Sequence, residues 1–177
     1  MQLKDDMIRR QHLKGDLSTI LGILDFANCE DAEDFIKWMS KKAQMYQTAS
    51  SPESHLRLPS NLVRGDIVMC DFGINIRPEF SDKGGRKHFA MFWSQQGHNA
   101  IVIPITTKFP GDQNKHTVPI GSINGFSEKE NYIKIDSIRS VSLYRLSRIA
   151  GHRNGKIAAQ HIIPKVKKAL TEFLIDD

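Results

Sequence analysis

Three short apolar runs between Arg64 and Thr106, each bounded by turn residues, restrict this chain more than any other feature. In the first, Ile67, Met69 and Asp71 alternate with Val68, Cys70 and Phe72; the second is HFAMFW and the third AIVIPIT. Side chains of an extended chain point alternately to opposite faces, so runs this short and this rich in β-branched and aromatic residues predict strands. A long polar loop with Arg77, Lys83, Arg86, Lys87 and His88 separates the first two runs, and the third ends in Thr106 and Thr107 followed by Lys108. A strand that set those hydroxyls beside the basic loop would group cations, an imidazole and hydroxyls as an RNA phosphodiester requires.

The later chain continues the pattern. A turn-rich loop, FPGDQNKH, leads to a short strand at TVPI, and a second loop, GSINGFSEKEN, leads to a strand across YIKIDSIRSVS. There Ile133 and Ile135 face one way and Lys134 and Asp136 the other. RLSRIAG reads as a further short strand, and Asn154-Gly155 as a tight turn. From about Gln160 to Ile175, Ile163, Val166, Ala169, Leu170, Phe173 and Leu174 form one helical stripe, with Pro164 tolerable only in the first turn. Five to seven short strands and a terminal helix predict an α+β fold, a small, strongly bent antiparallel barrel with a helix packed on it.

Ahead of this lie two predicted helices. Residues 1–15 read as a frayed helix or arm, and Asp16 as the cap of a helix with Leu17, Ile20, Leu21 and Leu24 on its apolar face. The second, CEDAEDFIKWMSKKAQMY, has acids in its first turns and Lys41 and Lys42 toward its end, as the helix dipole favours, with Phe35, Met39 and Tyr46 as its stripe and Trp38 alongside. The Ser- and Pro-rich stretch from Thr48 to Asn61 reads as a linker. The division is therefore an N-terminal helical extension and linker over residues 1–60 and a barrel domain over 61–177.

Charge follows the same division. Residues 1–60 carry 8 Lys and Arg against 9 Asp and Glu, and residues 61–177 carry 17 against 11. A basic later part suits a polyanion partner, and equally a generic soluble surface. No apolar run is long enough to span a bilayer and MQLKDDMIRR lacks the apolar core of a secretion signal, so a cytoplasmic protein with no membrane partner is expected. Cys29 and Cys70 make neither a disulfide framework nor a metal spacing, and Cys70 falls where a buried free thiol is expected. The histidines outside the loop, His12, His55, His98, His116, His152 and His161, show no ligand spacing, so no metal and no cofactor are assigned.

Four blocks, in order, carry a family resemblance: RGDIVMCDFG; the loop with Glu79 and Gly-Gly, a basic residue and an apolar strand; IPITTK; and IDSIRSVSLYRL. From Arg64 to about Leu174 the chain resembles the MazF/PemK family of toxin endoribonucleases. The resemblance implies an SH3-like barrel, usually a homodimer, that cuts single-stranded RNA at short sequences without metal and is held in check by a cognate antitoxin. The family's catalytic threonine, at the end of the third strand, carries over to Thr106. Its arginine, normally followed by proline, falls by position on Lys87, with His88 in the proline's place and Arg86 one step earlier. The loop holds extra residues around Ser81 to Lys83, and Arg77 stands where a glycine is usual. Residues 1–60 precede the point where the family pattern begins. Because the family's antitoxins lay acidic, partly helical segments over the RNA groove, the acid cluster Glu30 to Asp34 can be read as an inhibitor in cis, or the segment as a packing or dimerisation appendage.

Metal-free cleavage requires the ribose 2′-hydroxyl to lose its proton, the phosphorane's charge to be stabilised and the 5′-oxygen to gain a proton, giving a 2′,3′-cyclic phosphate. Arg86 offers a planar fork to two phosphate oxygens, Lys87 a point charge, and His88 a ring of the kind that transfers protons near neutrality. Thr106 would donate a hydrogen bond to a nonbridging oxygen. Arg77, Glu79, Thr107, Lys108 and Ser137 are the candidate substrate contacts, and Asp136 a further one. Phe89, Phe92 and Trp93 suit base stacking or the core, and Arg139 suits a brace to Asp71. The plainer readings stand beside these: a solvated charge pair for Arg86 and Lys87, a half-buried strand histidine for His88, β-propensity for Thr106 and Thr107. On those readings the chain is a non-catalytic binding module, an RNA-binding relic or a relative of the gyrase-poisoning toxins that share the architecture.

Overall fold

A computed structural model describes residues 2–49, 59, 61–75, 79–82, 86–109, 111, 116–123 and 127–175. Two helices open the chain: α1, Met7–Leu24, and α2, Cys29–Ala49. Eight strands follow among the described residues: β1 Asp66–Cys70, β2 His88–Gln96, β3 Asn99–Thr106, β4 Thr117–Ile123, β5 Ser127–Lys134, β6 Arg139–Ser142, β7 Leu146–Ser147 and β8 Ile157–Ala158. Helix α3, Ile163–Ile175, ends the fold.

All the strand pairs are antiparallel, in the order β4-β5-β3-β2-β1-β7, with β6 also on β3 and β8 also on β1. Strand β3 produces the bend. It pairs with β2 and β6 through Asn99 to Pro104, then turns onto β5 through Ile105 and Thr106. The bent sheet has a core on each face. Ile67, Met91, Ile103 and Ile133 pack beneath Val166 and Leu170 of α3, whereas Val68, Cys70, Phe72, Ala90, Phe92 and Val102 pack against Val141, Leu143 and Leu146. Both faces of β1 thus contribute to a core, Ile67 to one and Val68 and Cys70 to the other, while Met69 is half-buried.

The R-G-D block has a structural role. Gly65 takes a left-handed φ of +91°, where an added Cβ would meet Ile163 at 3.0 Å. Asp66, 1% exposed, accepts from Val63 N at 2.8 Å, Lys156 Nζ at 2.6 Å and Gln160 Nε2 at 2.8 Å, which ties the start of β1 to the approach of α3. Asn154 and Gly155 both have positive φ, as a tight turn demands.

Several expectations need adjustment. The first helix begins at Met7 under an Asp6 cap, whose carboxylate accepts from Arg9 N, so residues 7–15 are helical and Asp16 lies mid-helix. The polar composition of residues 1–15 hid the cap. GSINGFSEKEN is largely hairpin: β4 runs to Ile123 and β5 starts at Ser127. YIKIDSIRSVS is broken by a 3-10 turn, Ile135–Ser137, which keeps Ile135 buried while redirecting the chain from β5 to β6. Tyr46 is 82% exposed and leaves the α2 stripe. The linker expected from Thr48 to Asn61 lies mostly outside the described residues.

Candidate active site

The end of β1 and the foot of β2 hold the first group of candidates. Cys70 and His88 are paired across these strands, which sets Asp71 and Lys87, their outer neighbours, side by side. Lys87 Nζ lies 3.2 Å from Asp71 Oδ2 and donates to Ser147 Oγ at 2.8 Å. Asp71 is 1% exposed, and its other oxygen is held by Lys41 of α2. The carboxylate therefore has two ammonium partners, one from the site and one from the N-terminal helices.

His88 has its own acid. Its Nδ1 is 2.8 Å from Asp82 Oδ1, and Asp82 Oδ2 accepts from Gly73 N at 2.7 Å while Asp82 N donates to Gly73 O at 2.8 Å. Phe80 and the imidazole pack in a T-shaped pair with 4.9 Å between ring centroids. Asp82 is 3% exposed, so this bond is shielded from water, whereas the His88 side chain retains 33% of its surface. Cys70, beneath, is inert: burial, followed by the charges of Asp82 and Asp71, pushes its thiol far above the ordinary value.

Thr106 stands at the same end of the sheet. The β2–β3 ladder closes at Ala90↔Pro104, two residues past His88 on one strand and two short of Thr106 on the other. Both side chains also fall on the even-numbered face, in line with Ala90 and Val102. The Thr106 hydroxyl accepts from Lys108 N at 3.1 Å, which fixes the oxygen and leaves its proton to donate elsewhere. Thr107 and Lys108 are exposed just beyond it.

The remaining candidates are spread around this group. Arg86 is exposed and makes no side-chain hydrogen bond or ion pair with the described residues. Glu79 is exposed on the loop. Ser137 Oγ donates to Asp136 at 3.0 Å, and its carbonyl accepts from Arg139 Nε at 3.4 Å. Arg77 and Lys83 lie outside the described residues. The expected brace from Arg139 to Asp71 is not formed: Arg139 Nη1 donates to the carbonyl of Phe80 at 3.3 Å, and Asp71 is already saturated by lysines. Of the stacking candidates, Phe92 is core, and Phe89 and Trp93 lean on the α3-side core.

Three residues outside the strand pattern shape the loop. Trp38 of α2 packs on Gly73, Arg145 lies 5.1 Å above the Trp38 ring, and Arg145 Nη1 donates to the carbonyl of Phe72 at 3.1 Å. A cleft of about 270 Å³ opens beside them between Leu24, Asp31, Asp34 and Phe35 of the helices and Ile74, Asn75, Ser81 and Asp82 of the loop. Trp38, Lys41 and Asp82 belong to no strand or helix period that points at the site, and they are found only from the contacts.

The model of the PemK-like, MazF-like toxins of type II toxin-antitoxin systems matches residues 63–174. The chain belongs to this family. The match spans β1 to α3 and leaves α1 and α2 outside it. No curated protein matches the chain. Among solved structures, an "Endoribonuclease from Mycobacterial species" is similar at 14% identity and a TM-score of 0.40, over 64% of this chain and 90% of that one. No described helix is long and apolar enough to cross a membrane.

Proposed function

We propose that this toxin is a metal-independent endoribonuclease that cleaves single-stranded RNA at a short sequence, leaving a 2′,3′-cyclic phosphate and a 5′-hydroxyl. The observation that supports the reading is the shared end of the β2–β3 ladder, which leaves His88 and Thr106 each two residues beyond the Ala90↔Pro104 pair, with Arg86 and Lys87 next to His88 in the chain. Thr106 donates its free proton to a nonbridging oxygen. Lys87 and Arg86 stabilise the charge that grows on the phosphorane, and His88 transfers a proton. Thr107, Lys108, Glu79, Arg77 and Ser137 contact the strand on either side. The working form is a cytoplasmic homodimer neutralised by a cognate antitoxin. In this reading residues 61–177 are the nuclease domain and residues 1–60 an extension whose α2 covers the β1–β2 loop and restrains it in cis.

A second reading, RNA binding without cleavage, is favoured by the state of Lys87: its ammonium is already committed to Asp71 and Ser147. Purified protein incubated with a long RNA in EDTA, beside Thr106→Ala, separates the two. Cleavage by the native chain that falls at least about 100-fold in the variant supports the nuclease, since one lost oxyanion donor costs that much. RNA bound and left intact by both supports the second reading. Cleavage undiminished by the substitution removes Thr106 from the site.

A further inference from the structure

We propose that Asp82 is a positioning residue of this site, holding His88 by Nδ1 so that Nε2 presents a lone pair to the ribose 2′-hydroxyl as general base; this rests on the nuclease reading above. A carboxylate accepts hydrogen bonds and does not donate them, so the 2.8 Å contact puts the proton of a neutral His88 on Nδ1. Nε2 is then the ring's acceptor. The ring is held by Asp82 at one nitrogen and by a T-shaped contact with Phe80 at 4.9 Å between ring centroids. Asp82 is itself fixed by both backbone bonds to Gly73, so it cannot follow a rotating imidazole. An acid, a ring and, on a side chain that keeps 33% of its surface, a second nitrogen form an orienter–base pair, whose geometry sets which atom takes the proton.

The step balances without a further reactant. The 2′-hydroxyl proton passes to Nε2 as the bond from the 2′-oxygen to phosphorus forms. The bond from phosphorus to the 5′-oxygen then breaks, the 5′-oxygen takes a proton from water, and the imidazolium returns its proton to solvent. Asp82 keeps its charge throughout and stabilises the imidazolium.

The test is a double-mutant cycle on the full chain, with Asp82→Asn, His88→Ala and both together, reading cleavage of a long RNA in EDTA. Asp82→Asn keeps an oxygen for Gly73 N but presents an amide N–H to Nδ1, which moves the ring proton to Nε2. The expected result is a rate at least about 100-fold lower for each single variant. The pair should be no slower than His88→Ala alone, because Asp82 acts only through His88. Binding of single-stranded DNA of the same sequence, which lacks the 2′-hydroxyl, should be unchanged, and Asp82→Glu should recover part of the rate. Losses that multiply in the double variant, or a His88→Ala chain that cuts normally, overturn the role of Asp82 while native cleavage and its dependence on Thr106 keep the nuclease reading intact. A native chain that cuts no RNA overturns both. Asp82→Ala, followed by thermal melting, separates a lost brace on Gly73 from a lost hydrogen-bond acceptor for His88: a merely structural Asp82 lowers DNA binding and melting temperature in step with the rate.

Discussion

Trp38 and Gly73 are in such close contact that a Cβ built on the glycine would collide with Cε2 of the indole. The glycine also has φ of +82°, so it serves two needs at once: a left-handed turn after β1 and a surface flat enough for α2 to dock. Gly73→Ala should therefore cost about 2–4 kcal/mol, from strained backbone and a displaced indole together. Adding Trp38→Ala to it should recover the steric share, so the two losses measured by urea denaturation should be far from additive. Additive losses would mean that the helix does not rest on this turn.

Asp71 joins the same two parts of the chain by charge. Either lysine alone leaves the buried carboxylate one partner, so Lys41→Met and Lys87→Met should each cost about 1 kcal/mol. The double substitution leaves it buried and unpaired and should cost about 3–5 kcal/mol, more than the sum. Denaturant titration of the three variants checks this, and a simple sum would show that Asp71 finds another partner.

Removal of residues 1–58 takes away Trp38 and Lys41 together. The truncated chain should melt at a lower temperature, because Gly73 and Asp71 lose their cover. It should also cleave a long RNA faster per folded molecule, because α2 no longer covers the β1–β2 loop. An unchanged rate with a lowered melting temperature would leave the helices a packing element alone.

The sequence showed the parts of this fold that obey a period. The three runs from Ile67 to Thr106 became β1, β2 and β3, and the stripe of Val166 and Leu170 became the buried face of α3. What broke a period was illegible: the 3-10 turn at Ile135–Ser137 interrupts an alternation that reads as one strand, and the Asp6 cap lies in a stretch too polar to mark a helix. The site divided in the same way. The candidates Thr106 and His88 stand at strand ends, positions that counting along the chain gives. Asp82 and Lys41 reach the site through a loop and a docked helix, contacts with no spacing to count. Arg139 was misassigned for that reason, since the nearest acid in the strand pattern, Asp71, is occupied by lysines from elsewhere.

Arg86 and Lys87 are neighbours in sequence and opposites in electrostatics. Lys87 lies 3.2 Å from Asp71, a carboxylate it shares with Lys41, whereas Arg86 is exposed and without an ion pair to the described residues. A cation already paired within the protein releases few additional counterions when a phosphate approaches, and a solvated one releases its full share. For single strands each neutralised phosphate contributes about 0.7 to the slope of log affinity against log salt. Arg86→Ala should therefore weaken binding of single-stranded RNA across sequences and reduce that slope by about 0.7, while Lys87→Ala leaves the slope nearly unchanged. Filter binding over a range of salt concentrations measures both. Equal reductions would show that RNA draws Lys87 away from Asp71 on binding, and that the charge facing the scissile phosphate is assembled by the substrate.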